Sequence, residues 1–257
     1  MKIKIVKIFS LISLSCTAII LFSFTSLKKP IHIYLAGDST MADKVKSARP
    51  EMGWGTRLHD FFDSTVVVIN RAQNGRSTKT FIQEGIWQKI IDSAVKGDYV
   101  IIQFGHNDEV PTKASFTTEK DFTSNLISMV SQVRDKKAIP ILITPVARRK
   151  FDSSGNVVDT HPVYARLVRN VAMSKNVTLV DLSKASQDLL QKFGTEDSKL
   201  LFNHLLPGQN PNYPEGKVDD THLNELGARK MAQLVFGDLR KFFPDINERV
   251  VKSNFEK

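Results

Sequence analysis

Residues 31–242 carry two interleaved hydrophobic periods. Five short runs are nearly unbroken in apolar or β-branched residues: Ile31 to Ala36, Val66 to Asn70, Tyr99 to Phe104, Ile139 to Thr144 and Val177 to Val180. Runs of this length bounded by turn residues predict strands buried on both faces. Between them the period lengthens to that of a helix. Residues 56–62 place Leu58, Phe61 and Phe62 together, and 85–96 place Ile86, Ile90, Ile91, Ala94 and Val95 on one face. Residues 118–137 do the same with Phe122, Leu126, Met129, Val130 and Val133, and 162–175 with Tyr164, Leu167, Val168 and Val171. A helix from Ser183 to Phe193 is expected to stop at Gly194 as its C′ residue. The last helix starts at Asn224, a good N-cap, and turns Met231, Leu234, Val235, Leu239 and Phe242 toward the core. Strands alternating with helices predict a mostly parallel five-stranded sheet, covered on both faces, in one three-layer α/β/α domain over residues 28–257. The exception is 195–219, a long irregular stretch with three prolines, and such loops are usually functional or mobile.

The first 27 residues break this pattern. Lys2, Lys4 and Lys7 precede a mostly apolar segment from Ile8 to Leu27, with small residues near Ser23 to Ser26. A basic start and an apolar stretch read as a secretory signal, which predicts an exported, periplasmic or extracellular protein. An uncleaved anchor is the competing reading, because about 20 apolar residues can span a bilayer. Membrane contact is therefore expected only if this segment is retained. Cys16, the single cysteine, lies inside it. A lipoprotein site there is disfavoured because the apolar run continues through Thr17 to Phe24. The remainder has no thiol, so neither disulfides nor cysteine chemistry enter.

The formal charge is +9. The leader holds three lysines and no acid, so six of those charges belong to the rest of the chain. They form neither a dense block nor a nucleic-acid-binding motif, and no nucleic acid partner is expected. A mild positive field suits an anionic polymer, and a solvated surface explains it equally well. A monomer is expected.

Chemistry gathers at the ends of the predicted strands. Gly37-Asp38-Ser39 follows the first, Arg71 to Ser77 the second and Gly105-His106-Asn107-Asp108 the third, while Val218 to Leu223 precedes the last helix. In open α/β sheets, ligands sit beyond the carboxyl ends of the strands. Acyl transfer needs a hydroxyl nucleophile, a base, a group that orients the base and donors for the oxyanion. Ser39 supplies the hydroxyl and His222 the base. Asp219, three residues before His222, can accept from its Nδ1–H. The backbone N–H groups of Ser39 and Gly75 and the side-chain amide of Asn107 are the candidate oxyanion donors. Each residue has a plainer reading: Gly75 as a turn, Asn107 bonding its own loop, His222 as a structural histidine. Their joint arrival, in order and each after an expected element, favours the catalytic reading. Asp38 reads as structural, bracing the Ser39 turn.

Together the four blocks Gly37-Asp38-Ser39, Gly75, Gly105-His106-Asn107-Asp108 and Asp219-Asp220-Thr221-His222 resemble the SGNH, or GDSL-like, esterase superfamily, across residues 31–240. Gly37 to Ala42, Gly53-Trp54-Gly55 and Gly75-Arg76-Ser77 are similar to the rhamnogalacturonan acetylesterases. Acetylxylan esterases and other carbohydrate deacetylases share much of this pattern. The resemblance implies a flavodoxin-like fold, hydrolysis of acetyl esters on pectic polysaccharide, an acetylated polysaccharide or oligosaccharide as partner, and no metal or organic cofactor. The sequence also lacks a His-Glu-x-x-His pair, a cysteine cluster and a P-loop. A polysaccharide-binding protein without turnover would be expected to lack one of the blocks, and none is missing. Trp54, Arg76 and His204 are candidates for substrate contact. Trp54 either lines the cleft and stacks on sugar or packs under the Ser39 loop, with packing preferred. Arg76 either meets a galacturonate carboxylate or bonds a nearby loop. His204 and Tyr213 are candidates because their loop is long.

Overall fold

The structure, a computed structural model, describes residues 29–251. The expected leader, with Cys16, lies outside the described residues. The compact unit runs from Ile31 onward. Its five strands are β1 (Ile31–Gly37), β2 (Val66–Asn70), β3 (Tyr99–Gln103), β4 (Ile139–Ile143) and β5 (Thr178–Val180). All four pairings are parallel, in the order β2-β1-β3-β4-β5. This order reverses direction between β1 and β3, the switch point where such sheets bind their ligands.

The strands are apolar on both sides because both faces are covered. Ile31, Ile33, Leu35, Tyr99, Ile101, Ile141, Ile143 and Val180 form one core; Tyr34, Ala36, Val100, Ile102 and Leu142 form the other. The second face is covered by helices α1 (Thr78–Gln83), α2 (Ile86–Ser93), α3 (Glu119–Asp135) and α4 (Pro162–Ser174). The first is covered by α5 (Leu182–Asp197), α6 (Glu225–Phe242) and a 3₁₀ segment, Trp54–Phe61. Phe61 stacks on Phe236 of α6 with ring centroids 4.8 Å apart, and Phe62 meets the same ring edge-on. A short helix α7 (Pro244–Asn247) closes the described chain.

Several local expectations differ from the structure. The helix expected over 56–62 is 3₁₀ and begins earlier, at Trp54. Helix α2 stops at Ser93, so Val95 lies beyond it and is exposed. Phe242 sits in the last turn of α6 and faces outward. At Gly194 the chain leaves helical geometry (φ 72°, ψ −176°), as its sequence position suggests, but helical structure resumes and runs to Asp197. Part of the 195–219 stretch is therefore ordered: a 3₁₀ turn, Ser198–Leu201, follows. The remainder is folded back by the Leu205–Lys217 bridge. Asn224 caps α6 as expected, its side chain accepting from Gly227 N at 3.1 Å. Among the described residues, no helix is long and apolar enough to cross a membrane.

Candidate active site

Beyond Gly37 the chain turns sharply. The Met41 and Ala42 amides both donate to Asp38 O. Asp38 Oδ1 accepts from the Thr40 amide at 2.9 Å and the Thr40 hydroxyl at 2.8 Å. The network continues inward, with Gln103 Nε2 donating to Thr40 Oγ1 (2.8 Å) and Trp54 Nε1 donating to Gln103 Oε1 (2.6 Å). This buried line, Trp54 to Gln103 to Thr40 to Asp38, fixes the turn and leaves Ser39 at its crest. Burial pushes the Asp38 carboxyl up despite the Thr40 bonds and the nearby His161 and Lys44.

Trp54 is completely buried. It is a strut beneath the Ser39 loop and does not line a cleft, so the substrate-contact assignment is corrected. Its neighbour Gly53 is required for the approach: a Cβ there would lie 2.2 Å from Ala42 O. The Trp54 amide donates to Thr40 O and the Met52 amide to Leu223 O. The Met52–Trp54 segment thus ties the Ser39 loop to the Asp219–His222 loop.

His222 Nε2 lies 3.1 Å from Ser39 Oγ, and His222 Nδ1 lies 2.9 Å from Asp219 Oδ2. Asp219 Oδ1 accepts from the Thr221 and His222 amides, each at 2.9 Å. Burial alone would raise the Asp219 carboxyl. The His222 ring and amide bonds, the His222 charge and the Thr221 amide outweigh it and hold the carboxyl far below the ordinary range. A carboxylate on Nδ1 fixes the tautomer in which Nε2 is free to accept the Ser39 proton. Asp220 faces the other way. Its Oδ1 accepts from Arg149 Nη1 (2.9 Å) and pairs with His204 Nε2 (2.8 Å). The loop is anchored from the β4 side, where the Arg149 amide donates to Asp220 O and Arg148 Nη1 to Thr221 Oγ1.

The Gly75 and Asn107 loops meet at the same rim. Gly75 has φ 76°, a conformation that favours glycine, and the space where a Cβ would project is open. Asn107 Nδ2 donates to Arg76 O at 3.1 Å, joining the third block to the second. Asp108 reinforces this joint: its Oδ1 accepts from the amide and hydroxyl of Thr78, the first residue of α1. Burial pushes the Asp108 carboxyl up to about 7 against those bonds. The Ser39 and Gly75 amides donate to no acceptor among the described residues. His106 points inward, its Nε2 bonded to Val146 O; burial, then charge from His161, Arg148 and His222, holds it well below the usual imidazole range.

Arg76 is tied within its own surroundings, to Glu84 through Nε and Nη2 and to Asn74 O through Nη1. Of its two readings, the structure shows the loop-bonding one. His204 is half-buried beside Asp220, at the wall shared by cavities of about 480 and 410 Å³. The Tyr213 hydroxyl donates to Ala48 O, pinning the loop to the 46–49 turn. Two residues on this rim have no motif to reveal them, Lys44 and Glu51. They pair at 2.8 Å, and Glu51 approaches Asp219 and His222. Glu51, Asp219 and His222 come as close as ligands of a cation would, but the Lys44 ammonium already holds Glu51 and both His222 nitrogens are engaged.

Residues 35–230 match the GDSL-like lipase/acylhydrolase family. The chain belongs to that family. It is a carboxylic ester hydrolase. Its relatives include rhamnogalacturonan acetylesterase RhgT of Bacillus subtilis, 39% identical over 81% of this chain and 89% of that one. The probable rhamnogalacturonan acetylesterase YesY of the same organism is 34% identical over 86% and 98%. Among solved structures, Bacillus subtilis YxiM superposes with a TM-score of 0.72 at 28% identity, over 83% of this chain and 57% of that one. Axe2, an acetylxylan esterase from Geobacillus stearothermophilus, shares the fold, with a TM-score of 0.57 at 18% identity over 83% and 94%.

Proposed function

We propose that this chain is an exported serine esterase that removes acetyl groups from a plant cell-wall polysaccharide, rhamnogalacturonan. The observation that carries the reaction is the unbroken line Asp219 Oδ2, His222 Nδ1, His222 Nε2, Ser39 Oγ, with contacts of 2.9 and 3.1 Å. The choice of polymer rests on the two Bacillus subtilis relatives named for it.

Ser39 Oγ attacks the acetyl carbonyl as His222 Nε2 takes its proton. The negative charge that develops on the carbonyl oxygen is met by the Ser39 and Gly75 amides and the Asn107 side chain, and loss of one such donor costs about 10²–10³ in rate. His222 then gives its proton to the departing sugar oxygen, which leaves as a hydroxyl. Water enters, His222 takes its proton as the oxygen adds to the acyl carbon, and the Ser39 Oγ–carbon bond then breaks, releasing acetate while His222 returns the proton to Ser39 Oγ. Asp219 stays ionised throughout, because its carboxyl is held far below working pH. The first 27 residues are read as the export signal that brings the enzyme to a polymer outside the cell.

The test compares acetate release from acetylated rhamnogalacturonan, acetylated xylan and a long-chain ester at equal enzyme concentration. The proposal expects the highest kcat/KM on rhamnogalacturonan. A preference for xylan would move the substrate assignment to another polysaccharide. A preference for the long-chain ester would overturn the carbohydrate reading.

A further inference from the structure

Lys44 lies five residues after Ser39, in a polar loop that its sequence would place in solvent. Its side chain is 1% exposed. Nζ contacts Glu51 Oε1 at 2.8 Å and Asn74 Oδ1 at 2.6 Å. Asn74 immediately precedes Gly75. A carboxylate oxygen of Glu51, one of Asp219 and a ring nitrogen of His222 all lie within 4.8 Å of one another. One ammonium group therefore joins the nucleophile loop, the Gly75 loop and a second carboxylate beside the His222 imidazole. Burying a lysine beside a partly buried glutamate is expensive unless their geometry is closely specified, and a loop brace alone could be built from neutral groups.

We infer that the Lys44–Glu51 pair positions and electrically balances the Asp219–His222 couple. The inference rests on the serine esterase reading above. Glu51 adds negative charge beside the imidazolium that forms during acyl transfer. Lys44 offsets that charge, so that His222 still gives up its proton to the leaving group, and holds Asn74 so that the Gly75 amide keeps its place.

The other charged groups around His222 are committed elsewhere. Asp219 is on its Nδ1. From the β4 side, Arg148 pairs with Glu109, and Arg149 with Asp220. His204 also holds Asp220, on the outward side of the loop. From beneath Met52, Arg57 pairs with Glu225 and Asp60. His106 is buried, and that burial holds its imidazole well below the ordinary range, while Lys113 reaches Asn107 only at 3.5 Å. Asp43 and Arg49, at the ends of the same surface loop, pair with each other.

The experiment follows acetate release by the full chain against pH for Glu51→Gln, Lys44→Met and the double variant, with melting temperatures and Ser39→Ala alongside. The acid limb of kcat/KM reports protonation of the base in the free enzyme. Removing the negative Glu51 should move that limb to lower pH by about half a unit to one unit. Removing Lys44 should move it to higher pH, and the double variant should bring it back to within ~0.3 unit of the wild type, since the two effects are coupled. The plateau rate should stay low in both variants that lack Lys44, because Asn74 is no longer held. Limbs that do not move, or that move in the same direction in both single variants, overturn the inference, as does a rate loss that simply follows melting temperature. If Lys44→Met does not fold, Glu51→Asp against Glu51→Gln decides: the limb should hold with Asp and shift with Gln. Activity retained by Ser39→Ala would instead defeat the esterase mechanism itself, which separates the two failures.

Discussion

The Ser39 turn and the 205–218 segment are both irregular chain, and they are built in opposite ways. The turn is buried and cross-braced. Trp54, Gln103, Thr40 and Asp38 form a continuous buried hydrogen-bond line under it, and the segment around Met52 bonds it to the loop that carries His222. The 205–218 segment lies on the surface, with Leu206 73% and Val218 80% exposed. It is held by the Leu205–Lys217 bridge and by Tyr213 and Asn212, which bond backbone carbonyls of the 46–49 turn. The contrast teaches where each property of the enzyme resides. Reacting groups need placement to a fraction of an ångström, which buried and fully bonded neighbours supply. On the proposed polysaccharide reading, contact with a polymer would fall on an accessible surface such as this one.

The most severe break in this comparison is Ser39→Ala. The turn should remain folded, with a melting temperature near that of the parent, while acetate release falls by at least about 10⁴-fold. Next come the two neighbouring aspartates. Asp219→Asn should lower kcat by about 10³–10⁴-fold, because the imidazole loses its orienting charge. Asp220→Asn should leave kcat on a small ester within a few-fold, since its partners are Arg149 and His204. Equal effects would mean that the orienting carboxylate is misassigned. The same pair separates by pH. The Asp219 carboxyl is depressed in the folded protein, so its contribution to stability is present above the ordinary carboxylate range and is lost as pH falls through its lowered value. Asp219→Asn should therefore lower the melting temperature at pH 7 and flatten its dependence on acid.

Smaller effects test the braces. Gln103→Leu strands Trp54 Nε1 and removes the donor to Thr40, and should cost about 1–3 kcal/mol in denaturant unfolding. It should lower kcat more than it changes KM, because it loosens the Ser39 turn. The smallest effect is expected at Leu206. Leu206→Ser should change stability by less than about 0.5 kcal/mol. It should leave small-ester kinetics unaltered and raise KM for the polymer. Equal losses on small ester and polymer would erase the distinction between the two regions.

Much of the buried region was legible because its signals are local. Runs such as Val66 to Asn70 and Tyr99 to Gln103 have few alternatives to a buried strand. The spacing of Asp219 from His222 selects it over Asp220, since three residues bring carboxylate and ring together within one loop. What escaped is long-range or weakly patterned. Helix α1 reads Thr-Lys-Thr-Phe-Ile-Gln and buries only Thr78 and Phe81. That is too little apolar periodicity to announce a helix, although Ser77 and Thr80 cap it reciprocally. Val95 and Phe242 fit their helical faces on paper, but α2 ends before the first and solvent meets the last turn of α6. Trp54 can be read either way from the sequence, because the acceptor that decides it, Gln103, lies far along the chain on β3. The burial of Lys44 has no local signature, since the charges and amides that make it tolerable come from Glu51 and Asn74.

The central claim, that Ser39 is the nucleophile and His222 its activator, is tested most directly by covalent trapping. A serine-directed fluorophosphonate is reacted with the full chain, and the adduct is located by peptide mass spectrometry. One adduct, on the peptide containing Ser39, is expected, with labelling slowed by orders of magnitude in His222→Ala and absent in Ser39→Ala. An adduct on another residue, or undiminished labelling of Ser39→Ala, would contradict the account.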